Sequence, residues 1–343
     1  MGVKLGDVIP GRKVDLSELS GRTVAVDAYN VLYQFLSVIR GFDGTPLKDR
    51  RGRVTSHLSG LLYRTAGLIE AGVKPIYVFD GVPPALKGIE VERRVRAREE
   101  AFLKYEKAKK EGRLEEARIY AQASSRLRDY MVDGAKQLLG SMGVPLVQAP
   151  SEGEAQAAYI AIKGDAWAAA SQDYDSLLFG APRLIRNVAI TGKRKLPRKE
   201  VYITVKPEIV ELDRILDHLG ITREQLVALG ILVGTDFNPD GISGIGPKTA
   251  LKLVKKHKTL DGVVRDLRGV EFPAEPDKIA NIFLNPDVTD NYTIRWREPN
   301  AEDVVDLLCG EHNFSEERVR KALGRISAMY ERMEEKSTLE KWF

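Results

Sequence analysis

Five short apolar and β-branched runs, at 23–27, 75–80, 145–148, 166–171 and 183–187, alternate with amphipathic stretches of helical length at 31–40, 54–71 and 129–142. The runs are continuous rather than alternating, as in strands buried on both faces of a parallel sheet. Parallel neighbours need long crossover connections, and the helical stretches can supply them. The expected fold is therefore α/β, with a central, mostly parallel sheet flanked by helices.

Residues 85–127 break the pattern. They include "ERRVRAREEAFLKYEKAKKEGRLEEARIY", good helix-forming material without a wide apolar stripe. A helix that polar is no core layer, so an insertion projecting from the sheet is expected. Beyond residue 221 strand signals fade. Thr222 is placed to cap a helix over "REQLVALGILVG", and "NPDGISGIGPKTALKLVKKHKTL" joins two helices through a Gly-rich turn. The expected division is an α/β core at 1–220 with a helical insertion at 85–128, a helical region at 221–333, and a tail at 334–343. That tail is polar except for Leu339, Trp342 and Phe343.

Composition excludes several classes. Cys309 is the only cysteine, so an internal disulfide and a Cys-rich zinc site are ruled out. There is no apolar run of membrane-spanning length and no signal-peptide core at the start, so an intracellular protein without a membrane partner is expected. Basic residues cluster between Lys87 and Arg128, at 193–199 and at 248–258. Such clusters suit a phosphate backbone, although each alone is more often a solvated helix face.

Open α/β sheets build their sites beyond the carboxyl ends of the strands. Asp27 and Asp80 end two of the runs, Asp173 and Asp175 follow a third, and Glu152 and Glu154 open the helix after a fourth; Asp236 follows a later helix. Any one of these could be a turn former, or a helix-start residue with Ser151 as N-cap. Seven together would repel one another unless a cation compensates them. Carboxylates without His or Cys partners favour hard ions, so Mg²⁺ or Mn²⁺ rather than zinc. A pair of such ions suits phosphodiester hydrolysis. No phosphate-binding Walker loop is present.

The segments "VDAYN", "VFDG", "APSEGEAQAAY", "SQDYDSLLFG" and "GTDFNPDGISGIGPKTAL", in this order and spacing, resemble the flap endonuclease family, archaeal-type members above all. The resemblance covers essentially the whole chain. It implies a PIN-like 5′-nuclease fold and a structure-specific endonuclease, with 5′–3′ exonuclease activity, acting on 5′ flaps or nicks in DNA replication and repair. It also implies that the seven acids hold two Mg²⁺, with Glu152, Asp173 and Asp175 crowding one ion and Asp27, Asp80 and Glu154 nearer the other. The insertion would be the family's arch, with Lys87 and Arg94 acting on the scissile phosphate. Gly2, Tyr33 and Arg40 would lie along the DNA, Tyr33 stacking on a base. "GISGIGPKTA" resembles a helix-hairpin-helix turn, spanning 236–257 with its flanking helices. Gly241, Gly244, Gly246, Lys248 and Lys252 would hold duplex there, with K⁺ as a further ligand of the turn. Leu339, Trp342 and Phe343 resemble the peptide that binds the sliding clamp, PCNA, although Lys336 stands where that motif usually has Gln.

Rival readings are an exonuclease-like or junction-resolving nuclease of the same superfamily, a non-catalytic clamp-tethered scaffold, and a single-strand RNA nuclease. The compact insertion argues against the first, the complete acid set against the second, and the hairpin turn against the third.

Overall fold

The computed structural model describes residues 2–41, 44–195, 202–267, 272 and 274–340. The strands are β1 (Arg12–Lys13), β2 (Thr23–Asp27), β3 (Lys74–Phe79), β4 (Leu146–Gln148), β5 (Ala168–Ala170), β6 (Arg183–Arg186), β7 (Gly192–Lys195), β8 (Tyr202–Val205) and β9 (Glu208–Glu211). The first eight helices are α1 (Ala28–Val38), α2 (Ser56–Glu70), α3 (Gly88–Lys110), α4 (Leu114–Ala123), α5 (Asp129–Ser141), α6 (Gly153–Ile162), α7 (Asp175–Leu178) and α8 (Leu212–Leu219). They are followed by α9 (Arg223–Val233), α10 (Pro247–His257), α11 (Leu260–Asp266), α12 (Pro276–Leu284), α13 (Ala301–Val305) and α14 (Glu316–Glu340).

The main sheet runs β1-β9-β6-β5-β2-β3-β4. From β6 to β4 every pairing is parallel, while β9 and β1 add antiparallel strands at the other edge. All five expected strands are present. β1 and β9 went unforeseen because "RK" and "EIVE" are short and half polar, as an edge permits.

Alternation along the strands divides two apolar layers. Ala25, Ile76 and Val78 face a core shared with α6, α7, α9, α10 and α12. Val24, Val26, Tyr77 and Phe79 face one shared with α1, α2, α5, α13 and α14. The region expected at 221–333 is thus divided between opposite faces of the sheet. Residues 285–300 carry the chain from one face to the other. They are tied down by paired hydrogen bonds between Thr289 and Gln156, by Trp296 Nε1 donating to Pro75 O at 2.9 Å, and by Asn300 N donating to Ser141 O at 2.8 Å.

The insertion does not project freely. α3 and α4 pair around Tyr105, Ala108, Ala117 and Ala121, a small core of their own. The pair then leans on α1, where the Arg98 guanidinium lies 4.8 Å from the Tyr33 ring centre, and just past the ends of α1 and α4 Arg40 Nη2 donates to Ser125 Oγ at 2.6 Å. At its base Arg93 donates to Asp240 at 2.8 Å, joining the insertion to the turn before α10. The helix α14 continues through 334–340, part of the expected tail.

Candidate active site

Strand order reverses between β2 and β5: β2 leads outward to β3, and β5 outward to β6. A crevice opens beyond the strand ends at such a switch point. Asp27 ends β2 and caps α1, its Oδ1 accepting from Asn30 N at 2.9 Å. Asp80 follows β3, and its Oδ1 accepts from Gly153 N at 2.6 Å, tying β3 to the start of α6. Asp173 follows β5 and accepts from Asn30 Nδ2 at 3.1 Å. Asp175 begins α7 and accepts from Val3 N at 2.7 Å. Glu154 accepts from Ser176 N at 3.0 Å and from Ser176 Oγ at 2.7 Å.

Glu152 stands at the start of α6. It occupies the N-cap position of α6, where Ser151 was the other expectation, but its side chain makes no capping bond. The carboxylate is instead paired with Lys87 Nζ. Lys87 also lies 3.4 Å from Asp236 Oδ2, and Arg94 Nη2 donates to Asp236 Oδ1 at 2.5 Å while its Nε holds Glu90 at 2.8 Å. Two cations from the base of the insertion therefore reach into the acids.

Burial and mutual repulsion dominate the charges here. Burial, then Asp80, raises the Asp27 carboxyl well above its ordinary range. Burial and Glu152 push Asp80 up to about 6, and burial with Asp236 and Asp173 pushes Asp175 up to about 7. Glu154 is raised by burial and then by Asp175 and Asp173. Asp236 goes the other way: burial raises it, but positive charges that include Lys87 and Arg94 outweigh that. Glu152 thus bears on Asp80, and Asp173 and Asp175 bear on Glu154.

Among the described residues no three acids stand as a ready-made cage for one ion. The chemistry of the set still fits a hard divalent cation. Every donor is a carboxylate oxygen, several are driven toward the neutral form, and a cation would relieve both the repulsion and the desolvation. Lys87 and Arg94 supply part of that charge from the protein.

The remaining expected residues fall in different settings. A Cβ on Gly2 would stand 2.6 Å from Asp175 Oδ1, so the start of the chain lies against the acids. Tyr33 is half-buried rather than a core residue, with Arg98 over its ring. Arg40 is half-buried just past the end of α1, donating to Gly44 O at 2.9 Å and to Ser125 Oγ at 2.6 Å. Between α9 and α10, Gly241 has φ +54° and Gly244 φ +79°, both in the left-handed region that favours glycine. Gly246 is extended at φ −86°, and a Cβ there meets nothing, so its conformation does not require glycine. Pro247 opens α10, with Lys248 and Lys252 on that helix. Leu339 is in the last turn of α14; its side chain, Trp342 and Phe343 lie outside the described residues.

Sequence reasoning missed Asn30, Ser176 and Arg98. Asn30 had a faint signal, since "DAYN" puts an amide three residues after the capping Asp27. Arg98 had none, because its partner Tyr33 is remote in sequence.

Residues 1–101 match the XPG N-terminal domain and residues 143–236 the XPG I-region. The chain is 60% identical over 333 residues to flap endonuclease 1 of Hyperthermus butylicus, covering 96% of this chain and 95% of that protein. Its structure is similar to that of the Methanococcus jannaschii flap endonuclease-1, with a TM-score of 0.75 at 42% identity, covering 96% of this chain and 98% of that one. The catalytic core of Rad2 bound to a DNA substrate shares the fold, with a TM-score of 0.67 at 22% identity, over 94% of this chain and 97% of that one.

Proposed function

This chain belongs to the flap endonuclease family, and on that premise we propose how its residues divide the work of hydrolysing a DNA phosphodiester at the junction of a 5′ flap with duplex. The observation that carries the proposal is that the acids at the ends of β2, β3 and β5 share one crevice with Glu152 and Asp236, which are paired with Lys87 and Arg94.

Asp27, Asp80, Glu152, Glu154, Asp173, Asp175 and Asp236 hold two Mg²⁺, with Mn²⁺ as a substitute. When bound, these ions supply an activated water and charge stabilisation at the leaving oxygen. Lys87 and Arg94 exchange their carboxylate partners for the scissile phosphate and hold it by charge-assisted hydrogen bonds. Tyr33 offers a ring face to a base near the cut once Arg98 moves off it. The Gly241–Pro247 turn presents amides and the N-terminus of α10 to a phosphate of the duplex, with Lys248 and Lys252 adding charge and K⁺ completing the turn. Such contacts read shape rather than sequence. The residues Leu339, Trp342 and Phe343 tether the enzyme to a sliding clamp.

Labelled double-flap, nicked, single-stranded and four-way DNA substrates, each incubated with Mg²⁺ and with EDTA, test this. Cleavage one junction deep on the flap substrate, abolished by EDTA, is the expected result. Preference for the four-way substrate would favour a junction-resolving enzyme instead.

A further inference from the structure

We propose that Asn30 is a positioning residue that sets two of the carboxylates for cation binding, and that Gln34 fixes Asn30 in the required orientation. The inference rests on reading Asp27 and Asp173 as cation ligands. Asn30 is the third residue of α1. Its backbone N–H donates to Asp27 Oδ1 at 2.9 Å, and its side-chain Nδ2 donates to Asp173 Oδ2 at 3.1 Å. Asp27 ends β2 and Asp173 follows β5. These strands are paired neighbours, with Val26 opposite Ala170, on either side of the switch point. One residue thus holds one oxygen of each acid across the crevice and leaves the other oxygen of each for a cation.

The amide must face the right way for this. Gln34, one turn along α1, donates Nε2 to Asn30 Oδ1 at 2.5 Å. With its oxygen occupied, Asn30 can only present its NH₂ to Asp173; the flipped amide would set two oxygens against each other at Asp173 and two NH₂ groups against each other at Gln34. The two groups that hold Asp173 in this relay, Asn30 and Gln34, are neutral amides. Lys87 and Arg94 restrain carboxylates by cancelling their charge, which competes with a metal ion. An amide orients a carboxylate and leaves its charge for the ion. Groups that orient metal-binding carboxylates in this way change metal affinity or activity by about 10–100-fold when removed.

The test uses the full-length enzyme with Asn30→Ala and with Asn30→Leu, which keeps the side-chain size without its donor. Both retain the backbone N–H that Asp27 accepts from. Mn²⁺ binding without DNA is read from the loss of the free-ion electron paramagnetic resonance signal, and circular dichroism melts verify folding. Half-saturation by Mn²⁺ should move up by about tenfold, and kcat on a saturating 5′-flap substrate should fall by about tenfold or more with KM little changed. Gln34→Ala should shift both in the same direction by less. Asp173→Asn runs in parallel. If it loses Mn²⁺ binding and turnover while the folded Asn30 variants match the parent in both, the relay is wrong and the metal-site reading stands. If Asp173→Asn also matches the parent, the metal-site reading falls and the relay with it.

Discussion

Lys87 Nζ stands 3.4 Å from Asp236 Oδ2 and is paired at the same time with Glu152, so one side chain of the arch base bridges acids from two separate parts of the fold. It is largely buried there, at 15% side-chain exposure, and its pKa is raised: burial lowers it, but Glu152 and Asp236 more than compensate. The contact has two consequences for function. A cation already seated among the acids competes with metal, and a cation that can be released toward a phosphate is available for catalysis.

Lys87→Ala should therefore act in opposite directions on two measurements. Mn²⁺ should bind the DNA-free protein more tightly, because its competitor is gone. Single-turnover cleavage of a 5′ flap should slow by about 10²–10³-fold, the usual cost of removing one preorganised charge donor. Flap affinity should change far less. Arg94→Ala should follow the same pattern through Asp236. Rapid-quench kinetics and Mn²⁺ titration provide both readings, and unchanged cleavage would leave the pair with a structural role only.

Asp175→Asn separates chemistry from folding. The amide oxygen can still accept from Val3 N, so the contact that anchors the start of the chain survives. Turnover in Mg²⁺ should fall by orders of magnitude, while flap binding holds or tightens as one charge opposing the phosphates disappears. Burial and neighbouring acids push Asp175 up to about 7. Its folded pKa lies above the unfolded value near 3.9, so in EDTA its contribution to stability is lost as pH rises from about 4 through about 7. The metal-free variant should then melt higher than the parent at pH 8. A lower melting temperature at that pH, by calorimetry in EDTA, would show that the Asp175 carboxylate is not a source of repulsion.

The sequence pattern disclosed the sheet and the acids because both follow local rules. Continuous apolar runs mark buried parallel strands, and an acid at a strand's carboxyl end lands on the site edge whatever the helices do. Thr222, read as a cap, closes a capping box with Gln225 at the start of α9. What stayed hidden depends on contacts remote in sequence. Arg40 looks like any basic residue until Ser125, 85 positions away, claims its guanidinium. α14 looks like more of the C-terminal helical region until it packs on α2, against the opposite face from α9. Glu152 and Glu154 sit two residues apart, yet one turns to Lys87 and the other to Ser176, a division no spacing predicts.

The turn before α10 makes two glycines distinguishable. At Gly241 a Cβ would lie 2.4 Å from the Val233 carbonyl carbon, so Gly241→Ala should destabilise the fold itself. At Gly246 the backbone is unstrained and the space open. Gly246→Val should melt like the parent yet bind duplex more weakly, because the added side chain obstructs a phosphate approaching the helix N-terminus. Parent affinity should also fall steeply between 50 and 200 mM salt, as phosphate contacts release counterions. Fluorescence anisotropy with a labelled duplex reads both effects, and a salt-independent affinity would remove the phosphate-contact account of this turn.

Acid should weaken the protein far from the crevice. His57, near the start of α2, is 1% exposed, and its Nδ1 has no hydrogen-bond partner among the described residues. Burial, and then His312, push its pKa down from 6.5 to about 3. The unfolded chain thus takes up a proton near pH 6.5 that the folded protein refuses until about 3. Stability is full above pH 6.5 and is lost progressively as pH falls toward 3, by ~5 kcal/mol over the whole span. Asp49 adds a second, lower window. Burial would raise it, but hydrogen bonds from Arg53 and His312 hold it at about 2, so its contribution persists above about 4 and disappears as pH drops toward 2. The carboxylate cluster titrates in the opposite sense, so the useful quantity is the difference in melting temperature between parent and His57→Gln at each pH. That difference should be flat above pH 6.5 and should swing toward the variant between pH 6 and 4. A difference that stays constant across this range would show that His57 carries no proton-linked cost in the fold.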